Sequence, residues 1–346
     1  MAHADPVLET LFLPFVDERL QWPDGEILFL RARAGEAARP HSKRLLCQQT
    51  FKPDADALAP NGFRVLAPNA VLPPNENRWV CVLAPRQREE SRALLARAMS
   101  LAAPDGRVVA CASNNEGARS LEDDLRALAG EVEVLSKNKS RVCWTSSLTS
   151  ANHTLIATWS QLDAIRRVDD GRFFSRPGIF AWDRIDIASA LLAQHLPSDL
   201  TGDAADLGCG FGFLSHQLLS RCAKIRSIDL YEAEYRALEA AELNLASFAQ
   251  KVQSRFHWHD VTTGLPSKYD VIVCNPPFHV HGRLDRPDIG RRFIAVAAQS
   301  LRAKGQLWLV ANRHLPYEAE LASNFQRVRV VAQQHGFKII EAQRAA

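Results

Sequence analysis

No apolar run in this chain approaches the ~20 residues needed to cross a bilayer, so no membrane-spanning helix is expected. The opening, Met1-Ala2-His3-Ala4-Asp5-Pro6, lacks the basic and apolar segments of a secretory signal. Cysteine is sparse. Seven residues, an odd number with no C-x-x-C pair, read as reduced thiols in a cytosol and not as a disulfide framework. An excess of one charge is also missing: 42 Lys+Arg against 39 Asp+Glu leave +3, so any surface for a polyanion has to be a local patch. Metal ligands are incomplete, because His257-x-His259 and His279-x-His281 have no Cys or carboxylate set to complete a tetrahedral site. The expectation is a cytoplasmic globular protein with neither membrane nor metal.

What is present is an ordinary hydrophobic fraction, 47%, spread over 346 residues, too long for one comfortable core and suited to two domains. The chain also repeats itself. Trp79 to Pro85 reads as a strand, Ser91 to Ala102 as a helix and Gly106 to Asn114 as a strand. The same order returns in Val271 to Pro276, Arg292 to Arg302 and Gly305 to Asn312. Pro85 and Pro276 lie 191 positions apart, Gly106 and Gly305 199, Asn114 and Asn312 198. A near-constant offset points to duplication of an α/β unit, with domains at 1–160 and 170–346 and a boundary in the Ser/Thr-rich stretch from Leu148 to Gly171. The jump of eight after the proline gives the second copy a longer loop, His279 to Arg291, where a substrate would be gripped. At the end, Arg327 to Val331 and Phe337 to Ile340 alternate like an antiparallel hairpin with Gly336 near its turn.

The chemistry gathers in the second copy. Asp206-Leu207-Gly208-Cys209-Gly210-Phe211-Gly212 is a glycine-rich turn leading into a helical Phe213 to Leu219. Its glycines permit positive φ and let a ligand lie against bare backbone, at a helix N-terminus whose amides face the site. The dinucleotide fingerprint wants glycine at its sixth place, where this chain has Phe213. An acid, Asp206, also precedes the loop, badly placed beside a pyrophosphate but well placed beside a cation. S-adenosylmethionine, with an ammonium, a sulfonium and no phosphate, is therefore preferred to NAD. Asp229 lies 21 residues after Gly208 and follows the strand-like Ile225 to Ile228, placed to bind both ribose hydroxyls. Phe256 to Asp260 reads as a third strand whose Asp260 could accept from the adenine amino group.

Tyr269 to Cys274 reads as a fourth strand, and Asn275-Pro276-Pro277-Phe278 follows it. The Asn275 carbonyl and a proline backbone carbonyl can both accept hydrogens from one planar –NH₂ group, while Phe278 stacks on the plane that carries it. Such a nitrogen is a poor nucleophile because its lone pair is delocalised. Two acceptors can turn that lone pair out of conjugation and aim it at an electrophile, and orientation of this kind supplies up to ~7–11 kcal/mol of a barrier. Pro-Pro after a strand is also a plain loop start, so the tetrapeptide takes its meaning from the glycine turn upstream. Four successive strand ends then carry a glycine loop, two acids and an amide, at the edge where open α/β sheets bind ligands.

These residues resemble the class I S-adenosylmethionine-dependent methyltransferases. More narrowly, they are similar to the ribosomal RNA small subunit methyltransferase C family, which methylates the exocyclic N2 of a guanine in 16S rRNA. The narrower resemblance rests on the run 275–279; on Pro177-Gly178-Ile179-Phe180 followed by Asp186, Ser189, Leu191 and Leu192; on Val310 to Tyr317; and on Lys338. It covers about residues 174–346 well and the first half only loosely. Ala181-Trp182 departs from the small polar residue expected after the phenylalanine, so the lid over the cofactor differs in detail. The resemblance implies two tandem Rossmann-like methyltransferase domains, the second with a C-terminal antiparallel hairpin on a parallel sheet. The first is degenerate. It has Ala84-Pro85-Arg86-Gln87-Arg88 in place of Asn-Pro-Pro-Phe, and Arg31-Ala32-Arg33-Ala34-Gly35 after its first strand, Ile27 to Leu30. Asp206, Gly208, Gly210, Gly212, Asp229, Asp260 and Asn275 would hold the cofactor. The expected partner is rRNA, within the small subunit or its assembly intermediate, met by a monomer.

Residues Asn275, Pro276, Pro277 and Phe278 are expected to carry catalysis. His279 would line the base pocket, and Arg283, Arg286, Arg291 and Arg292 would grip phosphates. A second basic group, Arg31, Arg33, Arg39, Lys43 and Arg44, is read equally well as a solvated face. Ser215-His216 is a nominal nucleophile pair, but adjacent helical residues point apart. Three other functions stay open: methylation of a large-subunit guanine, methylation of a release-factor glutamine amide, and a non-catalytic RNA-binding module. Phe278 and the duplication argue against the glutamine target, and the intact glycine turn argues against the module.

Overall fold

Each half of the chain builds its own seven-stranded sheet, and both sheets have the same strand order. The computed structural model describes residues 5–146, 148–277 and 287–346. The chain divides into units 1–164 and 165–346, a break inside the Ser/Thr-rich stretch. The first unit contains β1 (Ile27–Leu30), β2 (Leu45–Gln48), β3 (Arg64–Val65), β4 (Asn77–Leu83), β5 (Ala102–Ser113), β6 (Val132–Lys137) and β7 (Ser140–Thr145). The second opens with a small hairpin, β8 (Arg166–Val168) and β9 (Phe173–Ser175). It continues with β10 (Thr201–Leu207), β11 (Lys224–Glu232), β12 (Gln253–Trp258), β13 (Tyr269–Cys274), β14 (Leu301–Asn312), β15 (Arg327–Gln334) and β16 (Phe337–Gln343).

The orders are β3-β2-β1-β4-β5-β7-β6 and β12-β11-β10-β13-β14-β16-β15. In each sheet the first five strands pair in parallel, and the last two are joined on by antiparallel pairing. The antiparallel pair anticipated at the C-terminus is thus a property of both copies. Central parallel strands must be covered on both faces, which is why they read as near-continuous apolar runs. In β13 the alternation of a strand sends Val271 and Val273 to one core with Leu191, Leu218 and Leu238. Ile272 and Cys274 go to the opposite core with Phe293, Ile294 and Leu309.

Two strand ends differ from the sequence reading. β11 does not stop before Asp229 but runs on to Glu232, because Leu230 and Tyr231 continue the buried pattern. β12 ends at Trp258, so Asp260 lies just past the strand, where it caps the short turn Val261–Thr263.

Candidate active site

The carboxyl end of β10 turns sharply. Gly210 sits at φ 54°, and a Cβ there would have nothing within 4 Å, so bare backbone faces open space. Its amide donates to Glu232 Oε2 at 2.8 Å. Gly212, at φ 82°, is the first cap of the helix Phe213–Arg221. A Cβ on it would come within 3.0 Å of Leu245 Cδ1 and 3.2 Å of the Ala241 Cβ, so glycine lets this helix start press against the helix Tyr235–Leu245.

Asp206, one residue before the end of β10, has no exposed surface. Its Oδ2 accepts from the Ser215 amide at 3.1 Å and from the Ser215 hydroxyl at 2.7 Å. Oδ1 is buried with no partner among the described residues. Burial pushes the Asp206 carboxyl up to about 7, against the pull of the Ser215 hydrogen bonds and with a push from Glu232. A buried carboxyl oxygen left over beside a glycine turn suits a cation, and a pyrophosphate would be repelled. The residues present therefore fit S-adenosylmethionine. Ser215, which sequence reading weighed only as a nucleophile, is the support of Asp206. His216 packs edge-on against Phe173 and Phe248.

Asp229 lies within β11 and not at its tip. It lies three residues before the end of β11, 2% exposed, in an ion pair with Arg255 at 2.5 Å. Its other oxygen accepts from the Tyr269 hydroxyl at 2.6 Å, and Tyr269 meets the Tyr231 hydroxyl at 2.6 Å. This placement does not favour the ribose-binding role expected of Asp229, which is 2% exposed and tied to Arg255 and Tyr269 within the sheet. The acid at the tip of β11 is Glu232, missed because the strand was read as ending too early. Glu232 accepts from the Gly210 and Glu234 amides at 2.8 and 2.9 Å, and burial raises its pKa. Asp260 Oδ1 accepts from the Thr262 amide and hydroxyl at 2.8 and 2.7 Å.

Asn275 follows β13 directly. Its Nδ2 donates to Asp186 Oδ2 at 3.0 Å and to Ser189 Oγ at 2.8 Å. Its Oδ1 is buried and has no partner among the described residues. Pro276 is buried and Pro277 exposed. Phe278, His279, Arg283 and Arg286 lie outside the described residues. Arg291 and Arg292 are exposed on the helix Pro287–Ser300. Arg292 is partly committed, since its Nε donates to the Thr262 carbonyl at 2.6 Å. Lys338 is buried on β16, where its ammonium donates to the Leu315 carbonyl at 3.0 Å and pairs with Glu318, fastening the loop after β14. All seven cysteines are free and buried, and burial drives the Cys209 and Cys274 thiols well up, which removes them as nucleophiles. His257 and His259 are used structurally: one stacks on Tyr231 at 4.5 Å, and the other bonds the Gly264 carbonyl at 2.6 Å. Among the described residues no helix is long and apolar enough to cross a membrane.

The Methyltransferase small domain family matches residues 170–341. A Ribosomal RNA small subunit methyltransferase C from Shewanella oneidensis is 29% identical over 270 residues, covering 77% of this chain and 78% of the relative. Its namesake from Shewanella loihica is 30% identical over 245 residues, 70% of each chain. Among solved structures, the T. Thermophilus 16S rRNA N2 methyltransferase in complex with AdoMet and guanosine superposes with a TM-score of 0.79. That match covers 99% of this chain and 92% of the other at 23% identity, and extends the shared fold to both units. With a glycine turn, a buried acid and an oriented amide at the ends of two adjacent strands, and with these relatives across both halves, the chain belongs to the ribosomal RNA small subunit methyltransferase C family.

Proposed function

We propose that this protein transfers the methyl group of S-adenosylmethionine to the exocyclic N2 amine of a guanine in 16S rRNA. The observation that carries this reading is the buried Oδ1 of Asn275, without a partner among the described residues and held at the tip of β13 beside the glycine turn. A buried acceptor left unsatisfied costs about 1–3 kcal/mol, which is recovered when an N–H of the target amine reaches it. The family relatives, and the guanosine and AdoMet in the solved relative, support the same chemistry.

The cofactor supplies an electrophilic methyl group. Asp206 Oδ1 would face its ammonium, Glu232 its ribose hydroxyls and Asp260 its adenine amino group, while Gly208 and Gly210 offer backbone without side chains. Asn275 Oδ1 and the Pro276 carbonyl take the two hydrogens of the target amine and turn its lone pair toward the methyl. No side chain need act as a base first. The nitrogen becomes acidic only after the methyl has arrived, and its proton then passes to water. A guanine in a helix must be taken out of the stack at a few kcal/mol. Stacking on Phe278 would return about 1–3 kcal/mol, with His279 lining the pocket and Arg283, Arg286 and Arg291 gripping phosphates. On this reading the protein works in the cytoplasm as a monomer on the small subunit or its assembly intermediate, since one chain carries the whole set.

The test is to incubate unmethylated small subunits, large subunits and release factor separately with labelled S-adenosylmethionine, digest each and identify the labelled nucleoside or residue. N2-methylguanosine is expected. Asn275→Ala should lower kcat about 10²–10³-fold, the scale of losing one oriented hydrogen bond at a reacting group, with cofactor affinity nearly intact. Label on a large-subunit guanine or a release-factor glutamine would reject the reading.

A further inference from the structure

We propose that Asp186, seconded by Ser189, fixes which end of the Asn275 amide faces the target, and so makes the pocket accept a hydrogen-donating nitrogen and refuse a hydrogen-accepting oxygen. The proposal rests on the reading that Asn275 holds the target amine. An amide side chain offers a double donor at one end and an acceptor at the other, in nearly the same shape. Nothing intrinsic to asparagine selects between the two orientations, so its neighbours must.

Here the neighbours leave no choice. A carboxylate presents only acceptors, and Asp186 Oδ2 lies 3.0 Å from Asn275 Nδ2. The reversed amide would set two oxygens at that distance. The second hydrogen of Nδ2 is taken by Ser189 Oγ at 2.8 Å. Both donors are thus consumed, and Oδ1 is the atom left without a partner among the described residues. Asp186 cannot swing away to relieve a reversed amide, because the same Oδ2 caps the helix Ile187–His195 by accepting from the Ser189 amide at 2.8 Å. That helix is anchored by Leu191 and Leu192 in the core. The polarity of the catalytic amide is therefore written 89 residues upstream, in a helix cap.

The consequence is discrimination. The guanine edge carries an amine beside a ring N–H and, further along, a carbonyl oxygen. The free Oδ1 acceptor satisfies the amine, whereas a carbonyl in the same place would meet oxygen against oxygen. Asp186 and Ser189 are positioning residues; they act only through Asn275.

Asp186→Asn tests this, because asparagine caps a helix as well as aspartate does yet can offer either an acceptor or a donor to Asn275. On small subunits kcat should fall about 10–100-fold, the usual loss when the support of a functional group is removed. KM, cofactor Kd and Tm should stay near wild type. Ser189→Ala should lower kcat by a smaller factor in the same pattern. The decisive variant is the exchange, Asp186→Asn combined with Asn275→Asp. Asn275→Asp alone sets two carboxylates face to face, while in the exchange the new amide donates to the new carboxylate and an acceptor is again left free. The exchange should recover at least about tenfold in kcat over Asn275→Asp alone, a coupling that double-mutant cycles resolve and that a merely structural role would not produce. Full kcat in both Asp186→Asn and Ser189→Ala, or no recovery in the exchange, would overturn the lock while wild-type guanine-N2 methylation still stood. A wild-type enzyme that methylates no guanine N2 would overturn the reading and the lock together.

Discussion

Just past the end of β1 in the first unit stands Arg31, whose guanidinium reaches Glu90 at 2.7 Å; past β10 in the second stands a glycine turn with bare backbone. Glu90 belongs to the first turn of the helix Arg88–Leu101 that follows β4, so an ion pair bridges the carboxyl ends of the two central strands of the first sheet. The strand registers make the comparison residue by residue. With Pro85 set on Pro276, Val82 falls on Val273; Val82 pairs with Leu30, and Val273 with Asp206. The place of Asp206 is taken by Leu30, and that of Asn275 by Ala84. Meanwhile the apolar sets that hold each sheet, Leu28, Val80, Val82 and Val108 in one and Ala204, Val271, Val273 and Trp308 in the other, are all buried. Topology is held by that burial, at about 25 cal/mol per Å² of apolar surface. The site adds nothing to stability and subtracts from it, since each orphaned acceptor costs about 1–3 kcal/mol. A copy released from catalysis can replace its site with an apolar residue and an ion pair and keep its fold.

The sharpest way to break this comparison is to give the second unit the loop chemistry of the first. Gly210→Arg places a long cation where backbone now faces open space, at a φ of 54° that disfavours any side chain. S-adenosylmethionine binding by calorimetry should fall from one site per chain to none. Two sites in the wild-type chain would overturn the degenerate reading of the first unit.

The two acids of β11 should separate next. Glu232→Ala should weaken cofactor binding by about 10-fold or more, the scale of one or two hydrogen bonds to a charged group, and leave Tm nearly unchanged. Asp229→Asn should do the reverse. It loosens the Arg255 ion pair and the Tyr269 bond, costing about 1.5–3 kcal/mol of stability, while cofactor Kd holds. Equal losses of cofactor affinity in both variants would return Asp229 to the site.

This pair also shows what was legible beforehand. The glycine turn, Asp206 and Asn275 could be read because each breaks an apolar strand pattern at or just beside its end. Glu232 could not, because acid spacing pointed to Asp229 and the run Leu230-Tyr231-Glu232 was passed over, although it extends the strand by three residues. A strand's last residue is decided by its partners across the sheet, and pairing of Tyr231 with Leu207 is not visible in the local sequence. The duplicated fold was legible through its offsets. Asp186 and Ser189 were noticed only as part of a resemblance; their hold on Asn275 joins segments 86 to 89 residues apart, beyond any local pattern.

A smaller effect follows from the raised pKa of Asp206. Its folded value, about 7, lies above the ordinary 3.8, so between these pH values the unliganded fold holds a proton that the unfolded chain has lost. That contribution favours the folded state at low pH and disappears as pH rises through about 7. A cationic ligand needs the ionised form, so cofactor binding runs the other way, tightening with pH and levelling above 7. At pH 6 about a tenth of the carboxyl is ionised, and Kd should be ~10-fold weaker than at pH 8. Calorimetry in buffers of different ionisation heat should detect proton release on binding at pH 6, and Asp206→Asn should abolish most of the slope.

The smallest effect expected is in the first unit, and it bears most directly on whether only one copy binds cofactor. Arg31 holds a φ of 52°, a backbone conformation that glycine adopts freely and other residues adopt at a cost near 1 kcal/mol. Arg31→Gly relieves that strain but removes the partner of the buried Glu90, which retains its other contacts. The two changes oppose each other, so Tm should move by only a few degrees. The substitution also opens the end of β1 in the manner of the second unit. If a blocked cleft were all that silences the first copy, a second cofactor site should then appear. If the missing acid and amide silence it, the stoichiometry stays at one, because Leu30 and Ala84 still stand where Asp206 and Asn275 would be. We expect one. A weak second isotherm in Arg31→Gly would mean that the first sheet lost its ligand by obstruction and not by loss of the groups that bind it.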